Sequence, residues 1–393
     1  MTAPKATVVL SGGAPNGALT AGALCGIYEA GKTFNTFYAS GAGAVFGLLT
    51  IAPKEGNAAT ALRATTRAGI HDAIYEFIPV GYKTFFKSGP FTFPIKKLVD
   101  RFKLDEGVDE KRNNSARFYN DWLDLWAAIV TPTFVNPRSE GLCAAFPFAD
   151  DFIDFKAVSK FKGQFYMNAY CIETGDMEQF THQQITVEHF RAALAFPFIY
   201  PPAEIGTKHY YEGSALDPLN LPQLWDRIER EEIPGDRHTV VLIDVLGALE
   251  EALIRRPRHL VDAYGISIIT PIVSLAQAKL DLFTCQRKQQ LEQKQIELIK
   301  LTFDIEESRY PTLADWSRTN LEELFKIGQD AGKRFAHDHR DQLPDRASGS
   351  ADPVDSPEPG VAGTPPVDRT PPVDRTPPVG RTPPVGRKPP AGR

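Results

Sequence analysis

Three short segments carry residue types from which a reactive centre could be built. Ser11-Gly12-Gly13-Ala14-Pro15-Asn16-Gly17 follows the apolar run Thr7-Val8-Val9-Leu10 and leads into residues with helical spacing from Gly17 to Ala30. Glycines at such a strand-to-helix turn let the backbone bend tightly and aim N–H groups at an anion, helped by the helix N-terminus. The turn suits a phosphate or an oxyanion. It has no G-x-G-x-x-G spacing and no Gly-Lys-Ser/Thr closes it, so neither a dinucleotide fingerprint nor a P-loop is indicated there. Ala39-Ser40-Gly41-Ala42-Gly43-Ala44-Val45 is a second such turn. A sharp elbow at this kind of place lifts one side chain off a sheet edge and lines an oxyanion site with the next N–H. The third segment, Tyr210-Tyr211-Glu212-Gly213-Ser214, offers a carboxylate able to act as a base. It follows the Pro-containing stretch Phe190 to Pro202 and precedes Asn220-Leu221-Pro222.

The elements that would position these segments alternate along the chain. Phe37 to Ser40 has the pattern of a short strand and Ala42 to Leu49 that of a helix. Gln164 to Ile172 and Thr239 to Val245 read as buried strands. Long helices are expected over Ile272 to Leu301 and over Leu321 to Phe335, the latter started by Thr319-Asn320-Leu321-Glu322. Strands interleaved with helices place the chain in the α/β class with a central, mostly parallel sheet.

Composition narrows the function classes. The 393 residues are 42% hydrophobic, enough for a sizeable core, and the net charge of −5 without a basic stripe argues against nucleic-acid binding. The N-terminus lacks the features of a signal peptide, and no stretch reads as the ~18 consecutive apolar residues that span a bilayer. Cys25, Cys143, Cys171 and Cys285 show no CxxC spacing, so they are expected to be buried hydrophobes rather than disulfides or zinc ligands. A cytoplasmic protein is the expectation. Beyond Arg346 the composition changes, and hexapeptides of the form [T/K]-P-P-[V/A]-[D/G]-R begin at Thr364, Thr370, Thr376, Thr382 and Lys388. With no aromatic residue after Phe335, residues 347–393 are expected to be a disordered, extended tail. It serves either as a solvated spacer or as a docking segment for a partner with an aromatic groove. The chain thus divides into a motif-bearing core over 5–250, a helical part over 251–346, and the tail.

In their order, the three segments resemble the patatin-like phospholipase family over roughly residues 5–335. That family carries a G-G-G-x-[R/K]-G oxyanion loop, a G-x-S-x-G elbow and a late D-G-[G/A] motif, often with N-x-P after it. Ser88-Gly89-Pro90-Phe91-Thr92-Phe93-Pro94-Ile95 also looks like a segment of bacterial members. The resemblance implies a three-layer α/β/α fold, a lipid or acyl-ester ligand, contact with the membrane periphery, and neither cofactor nor metal. It implies an oxyanion and ligand-binding set of Gly12, Gly13, Ala14, Asn16, Gly17, Ala42 and Gly43. It also places the family's serine–aspartate dyad at Gly41 and Glu212. Glycine has no group to attack with. Glutamate carries its carboxylate about 1 Å further out, enough to spoil near-attack geometry. Ala14 and Asn16 replace a glycine and a basic residue of the loop. The implied protein binds acyl ligands, with hydrolysis impaired or lost.

Other readings remain open at this level. A working hydrolase would need a relocated serine or a water activated by Glu212. Ser40 is one residue early, and neighbouring side chains at a strand end point to opposite faces. Ser11 fits a turn residue. Ser214 and His209 flank Glu212, although residues of one local segment rarely converge on a substrate. Alternatively Glu212 bonds nearby backbone and only holds loops together. A third reading is a non-catalytic protein that recruits partners through its tail. The aromatic segment Phe77 to Phe93 could lid an acyl chain, and Trp122 to Val130 could meet a membrane. Core packing is the expectation for both. His337-Asp338-His339 is expected to be a solvated helix end.

Overall fold

Strand β1 (Lys5–Leu10) runs through the middle of a sheet, and Ala6 to Leu10 are all buried because helices cover both of its faces. The computed structural model of the chain describes residues 4–13, 16–106, 110–133, 135–144, 149–230, 238–245, 256–306, 308 and 314–346. Ala14 and the Pro-rich tail lie outside them. After β1 come α1 (Gly17–Glu29), β2 (Thr36–Ala39), α2 (Ala42–Ile51), α3 (Ala58–Ala64), α4 (Asp72–Phe77), α5 (Thr92–Asp100) and α6 (Glu110–Val130). Next are α7 (Ala149–Phe152), α8 (Phe155–Val158), β3 (Gln164–Cys171), β4 (Asp176–Thr181), α9 (Val187–Leu194), β5 (Ala203–Ile205) and β6 (Lys208–Glu212). The last are α10 (Leu221–Glu229), β7 (His238–Ile243), α11 (Leu260–Gln293), β8 (Ile296–Lys300) and α12 (Arg318–Asp338).

The strand order is β5-β6-β3-β2-β1-β7-β8, with β4 also paired to β3. The run β3-β2-β1-β7-β8 is parallel, whereas β4 and β6 pair with β3 in the antiparallel sense, as β5 does with β6. One face of the sheet, bearing Val8, Leu10, Phe37, Phe165, Met167 and Val241, packs on α1, α2, α9 and α12. The opposite face, bearing Val9, Tyr38, Tyr166, Val240 and Leu242, packs on α10 and α11. These three layers make the fold α/β/α.

A strand has two edges, and β3 has three partners. Strand β4 pairs with Tyr166 to Cys171 and so overlaps the stretches used by β2 (Gln164 to Met167) and by β6 (Ala169 to Cys171). Strands β2 and β6 must therefore share the other edge and meet end to end across Asn168. This junction carries the candidate site.

Several expectations need correction. The helix expected over Ile272 to Leu301 spans Leu260–Gln293, and Gln295, at φ +53, turns the chain into β8. Pairing of Ile296, Leu298 and Ile299 beside β7 outweighs the helical spacing, so 251–346 is not purely helical. Helix α11 is also long and apolar enough, by length and composition, to cross a membrane, and only 17% of its most apolar 18-residue stretch is buried. Gly265, Ser267, Thr270 and Pro271 interrupt its apolar residues, which kept it from reading as a span. Core packing holds for Tyr82 and Leu125, but Phe77, Phe91, Trp122 and Trp126 are exposed. Cys25 and Cys171 are buried as expected, Cys143 is half-buried, and Cys285 is exposed.

Helix α1, which starts at the Gly-rich turn, is fixed by a seam with α12. Gly22 and Gly26 of α1 face Gly328 and Gly332 of α12, with the two helix backbones in direct contact. A Cβ on Gly22 would run into the Phe325 carbonyl oxygen and lie 2.7 Å from Gln329 N. On an exposed helix, glycine-to-alanine stabilises by ~1 kcal/mol. Here overpacking reverses the sign. Gly22→Ala should lower stability by roughly 1–3 kcal/mol in equilibrium denaturant unfolding. A stabilised variant would disprove the close seam.

Candidate functional site

The site lies at the carboxyl ends of β1 and β2, the usual place for ligands in open α/β sheets. Ser11 ties the end of β1 to the end of β7: its N–H donates to the Ile243 carbonyl at 3.3 Å, and its Oγ accepts from Val245 N–H at 3.2 Å. The local turn bond expected of Ser11 is replaced by this tie to β7. Gly41 begins α2 with φ +52 and ψ −130, a sharp bend in a region that L-residues rarely adopt. The elbow geometry is present without its side chain. Gly43 packs on the Leu10 and Ser11 carbonyls, where a Cβ would come within 2.7 Å, and this brings α2 up against the end of β1.

Glu212, the last residue of β6, reaches the same place from the opposite direction. A Cβ on Gly41 would collide with Glu212 Oε1 and lie 2.5 Å from Ser214 Oγ. A Cβ on Gly12 would lie 2.6 Å from both Cβ and Oγ of Ser214 and 3.5 Å from Glu212 Oε1. Ser214 Oγ donates a hydrogen bond to Glu212 Oε1, and Glu212 N–H donates to the Ala195 carbonyl at 2.9 Å. The Glu212 side chain thus fills the space beside Gly41 at the bend. Glu212 is 8% exposed. Burial raises its carboxyl pKa to about 7, with the Ser214 hydrogen bond working in the other direction.

The remaining candidates sort themselves around this contact. Ser40 is fully buried, and its Oγ donates to Asn168 Oδ1 at 2.7 Å and lies 3.1 Å from the Asp217 carbonyl. Its hydroxyl is committed to holding the β2–β6 junction. His209 pairs with Glu173 at 2.7 Å, half-exposed, and does not join Glu212. Among the described residues, no hydrogen bond is found for the N–H groups of Gly12, Gly13 and Ala42, which leaves them as donors for an oxyanion. Asn16 is buried with Nδ2 unpartnered among the described residues, and Gly17 packs on the Phe46 ring. His337 bonds Asp338, and His339 bonds Gln342 and lies on Phe335.

Two positioning residues escaped the sequence reading. Asn168 braces Ser40 and, through Nδ2, the Asp217 carbonyl at 3.4 Å. Lys279 of α11 donates to the Leu216 carbonyl at 2.8 Å and lies 3.5 Å from buried Asp217 Oδ1. No motif spacing could have linked positions 168 and 279 to residue 214. Gly26 to Thr33 has P-loop spacing, but it forms the end of α1 and the turn after it, and Lys32 Nζ donates to the Arg340 carbonyl at 2.7 Å. A P-loop needs a strand before it and a helix after it.

A family model described as patatin-like phospholipase matches residues 8–225, more than half of the chain and all three segments. The chain belongs to the patatin-like phospholipase family. Among solved structures, VipD from Legionella pneumophila is similar at 13% identity and a TM-score of 0.33, over 86% of this chain and 67% of that one. No curated protein matches the sequence.

In this patatin-like chain the buried carboxyl makes a pH prediction. Because the folded pKa of Glu212 is raised from 4.5 to about 7, the folded state holds more protons than the unfolded one between those values. Its contribution to stability therefore falls as pH rises through that window, by on the order of 3 kcal/mol in all. His238, lowered by burial to about 4, has the opposite slope up to its ordinary 6.5 and masks the effect in the intact protein. The difference between Glu212→Gln and wild type isolates it. The variant's relative stability should climb between pH 4.5 and 7 and stay level above, as measured by thermal unfolding across pH. A pH-independent difference would show that Glu212 is not held in that state.

Proposed function

We propose that this chain binds a lipid or other acyl ester at the carboxyl edge of the sheet, and that the family's route to hydrolysis through the elbow serine is closed to it. The observation that carries this reading is the intact elbow at Gly41 with the Glu212 carboxylate lying where its side chain would stand. The fold and the N–H donors of Gly12, Gly13 and Ala42 suit an ester carbonyl, which becomes an oxyanion on attack. No group at position 41 can make that attack.

Restoring the dyad tests the reading. Gly41→Ser alone should give no gain over wild type, because its Cβ would run into Glu212 Oε1. Gly41→Ser with Glu212→Asp withdraws the carboxylate and should raise hydrolysis of a p-nitrophenyl ester above wild type by about tenfold or more. A folded double variant with no gain would sink the account of the elbow.

A lipid ligand is reached at a membrane surface, and α6 supports a peripheral contact. Phe118, Trp122, Trp126 and Ile129 are exposed at helical spacing along it, with Phe118 and Trp122 stacked at 6.4 Å. Tryptophan favours the boundary between water and acyl chains. The proposed location is the cytoplasmic face of a membrane. Trp122→Ala with Trp126→Ala should weaken co-sedimentation with phosphatidylcholine vesicles by about tenfold. Equal binding by variant and wild type would remove α6 from the contact.

A further inference from the structure

We propose that Ser214 is the nucleophile of a re-routed acyl transfer, with Glu212 as its base, acting on carboxylic esters bound above Gly41. The inference rests on the reading of this edge as an acyl-ester site and supplies the attacking group which that reading lacks. The hydroxyl missing from the second segment is delivered to the same point by the third. Ser214 Oγ lies 2.5 Å from the place of a Gly41 Cβ and 2.6 Å from that of a Gly12 Cβ, between the elbow and the Gly-rich turn. It already donates to Glu212 Oε1, which is the arrangement of a nucleophile on its base.

Glu212 ends β6 and Ser214 lies in the single 3-10 turn that follows, and the hydrogen bond between them puts both side chains on the same side. The turn is held from several directions. Leu216 and Asp217 N–H groups both donate to the Gly213 carbonyl, Asn168 packs on Gly213, and Lys279 grips the Leu216 carbonyl. The rival hydroxyls on this edge are occupied: Ser40 by Asn168 and Ser11 by Val245. Burial keeps the Glu212 carboxyl in a range where it can both take and return a proton near neutrality.

The step balances without a further reactant besides water. As Ser214 Oγ bonds to the ester carbon, its proton passes to the Glu212 carboxylate. The oxyanion that forms faces the N–H groups of the Gly12–Gly13 turn. On collapse the carbon–oxygen bond to the alcohol breaks, and the alcohol leaves with the proton from Glu212, giving an acyl-Ser214 ester. Water then loses a proton to Glu212 and adds to that ester. Ser214 departs with the proton, and the carboxylic acid is released.

The full-length protein, a biotinylated fluorophosphonate and peptide mapping by mass spectrometry test the assignment. Wild type should take up one phosphonyl group on the peptide containing Ser214. Ser214→Ala should lose the label, and Glu212→Gln, with Ser214 in place, should label about 100-fold more slowly, the low end for a positioned base. No adduct, or an adduct on another residue, overturns the assignment. A non-hydrolysable ether phospholipid, added to wild type in a binding titration, separates the two readings. Binding without an adduct on Ser214 leaves the ligand site standing and removes the nucleophile. An adduct without ether-lipid binding supports the nucleophile and overturns the lipid reading. Failure of both overturns both.

Discussion

The junction at β3 constrains everything else at the site. With β4 on one edge from Tyr166 to Cys171, β3 has its other edge to offer β2 and β6, and their opposite directions make their carboxyl ends meet. The backbone thereby delivers an elbow from one strand and a carboxylate from another to within a side chain's length. No flexible loop has to close the distance. Asn168 sits at the gap and bonds the last residue of one approach, Ser40, and the turn that follows the other, at Asp217. A buried carboxamide satisfied in this way fixes register as well as contact.

At that junction Gly41 and Glu212 are sterically complementary. A side chain on the φ +52 bend would be strained, and glycine carries no such strain. Aspartate opposite a glycine would leave a void at the centre of a buried polar site. Glutamate fills it, and its carboxylate takes a hydrogen bond from Ser214. Residues 41 and 212 therefore have to be understood as a pair, because the larger carboxylate would not fit beside a serine.

Much of this was legible in the sequence. The strands β1, β2, β3 and β7 and the helices α1, α2 and α12 follow from apolar runs ended by glycine and from helical spacing, since each is buried by many neighbours of ordinary type. Strands β4, β5 and β6 were not foreseen: Asp176–Thr181 and Lys208–Glu212 are polar and short, and they are strands because of what they pair with. The three-segment reading located Gly12, Gly41 and Glu212 but treated Ser214 mainly as a neighbour in sequence. The bend after β6 sets the Ser214 hydroxyl on the Glu212 carboxylate, a contact that adjacency in sequence alone does not show. His209, three residues before Glu212, instead meets Glu173.

The energetics of the site differ from those of its scaffold. The scaffold rests on apolar layers on both faces of the sheet and on the α1–α12 seam, none of which needs a charge. At Glu212 the fold instead buries an ionisable group whose pKa is driven upward by that burial, which works against stability near neutral pH. An apolar residue of similar volume at position 212 would avoid that desolvation. The buried Glu212–Ser214 pair thus fills the space at the elbow at a cost in stability near neutral pH that an apolar side chain would not carry.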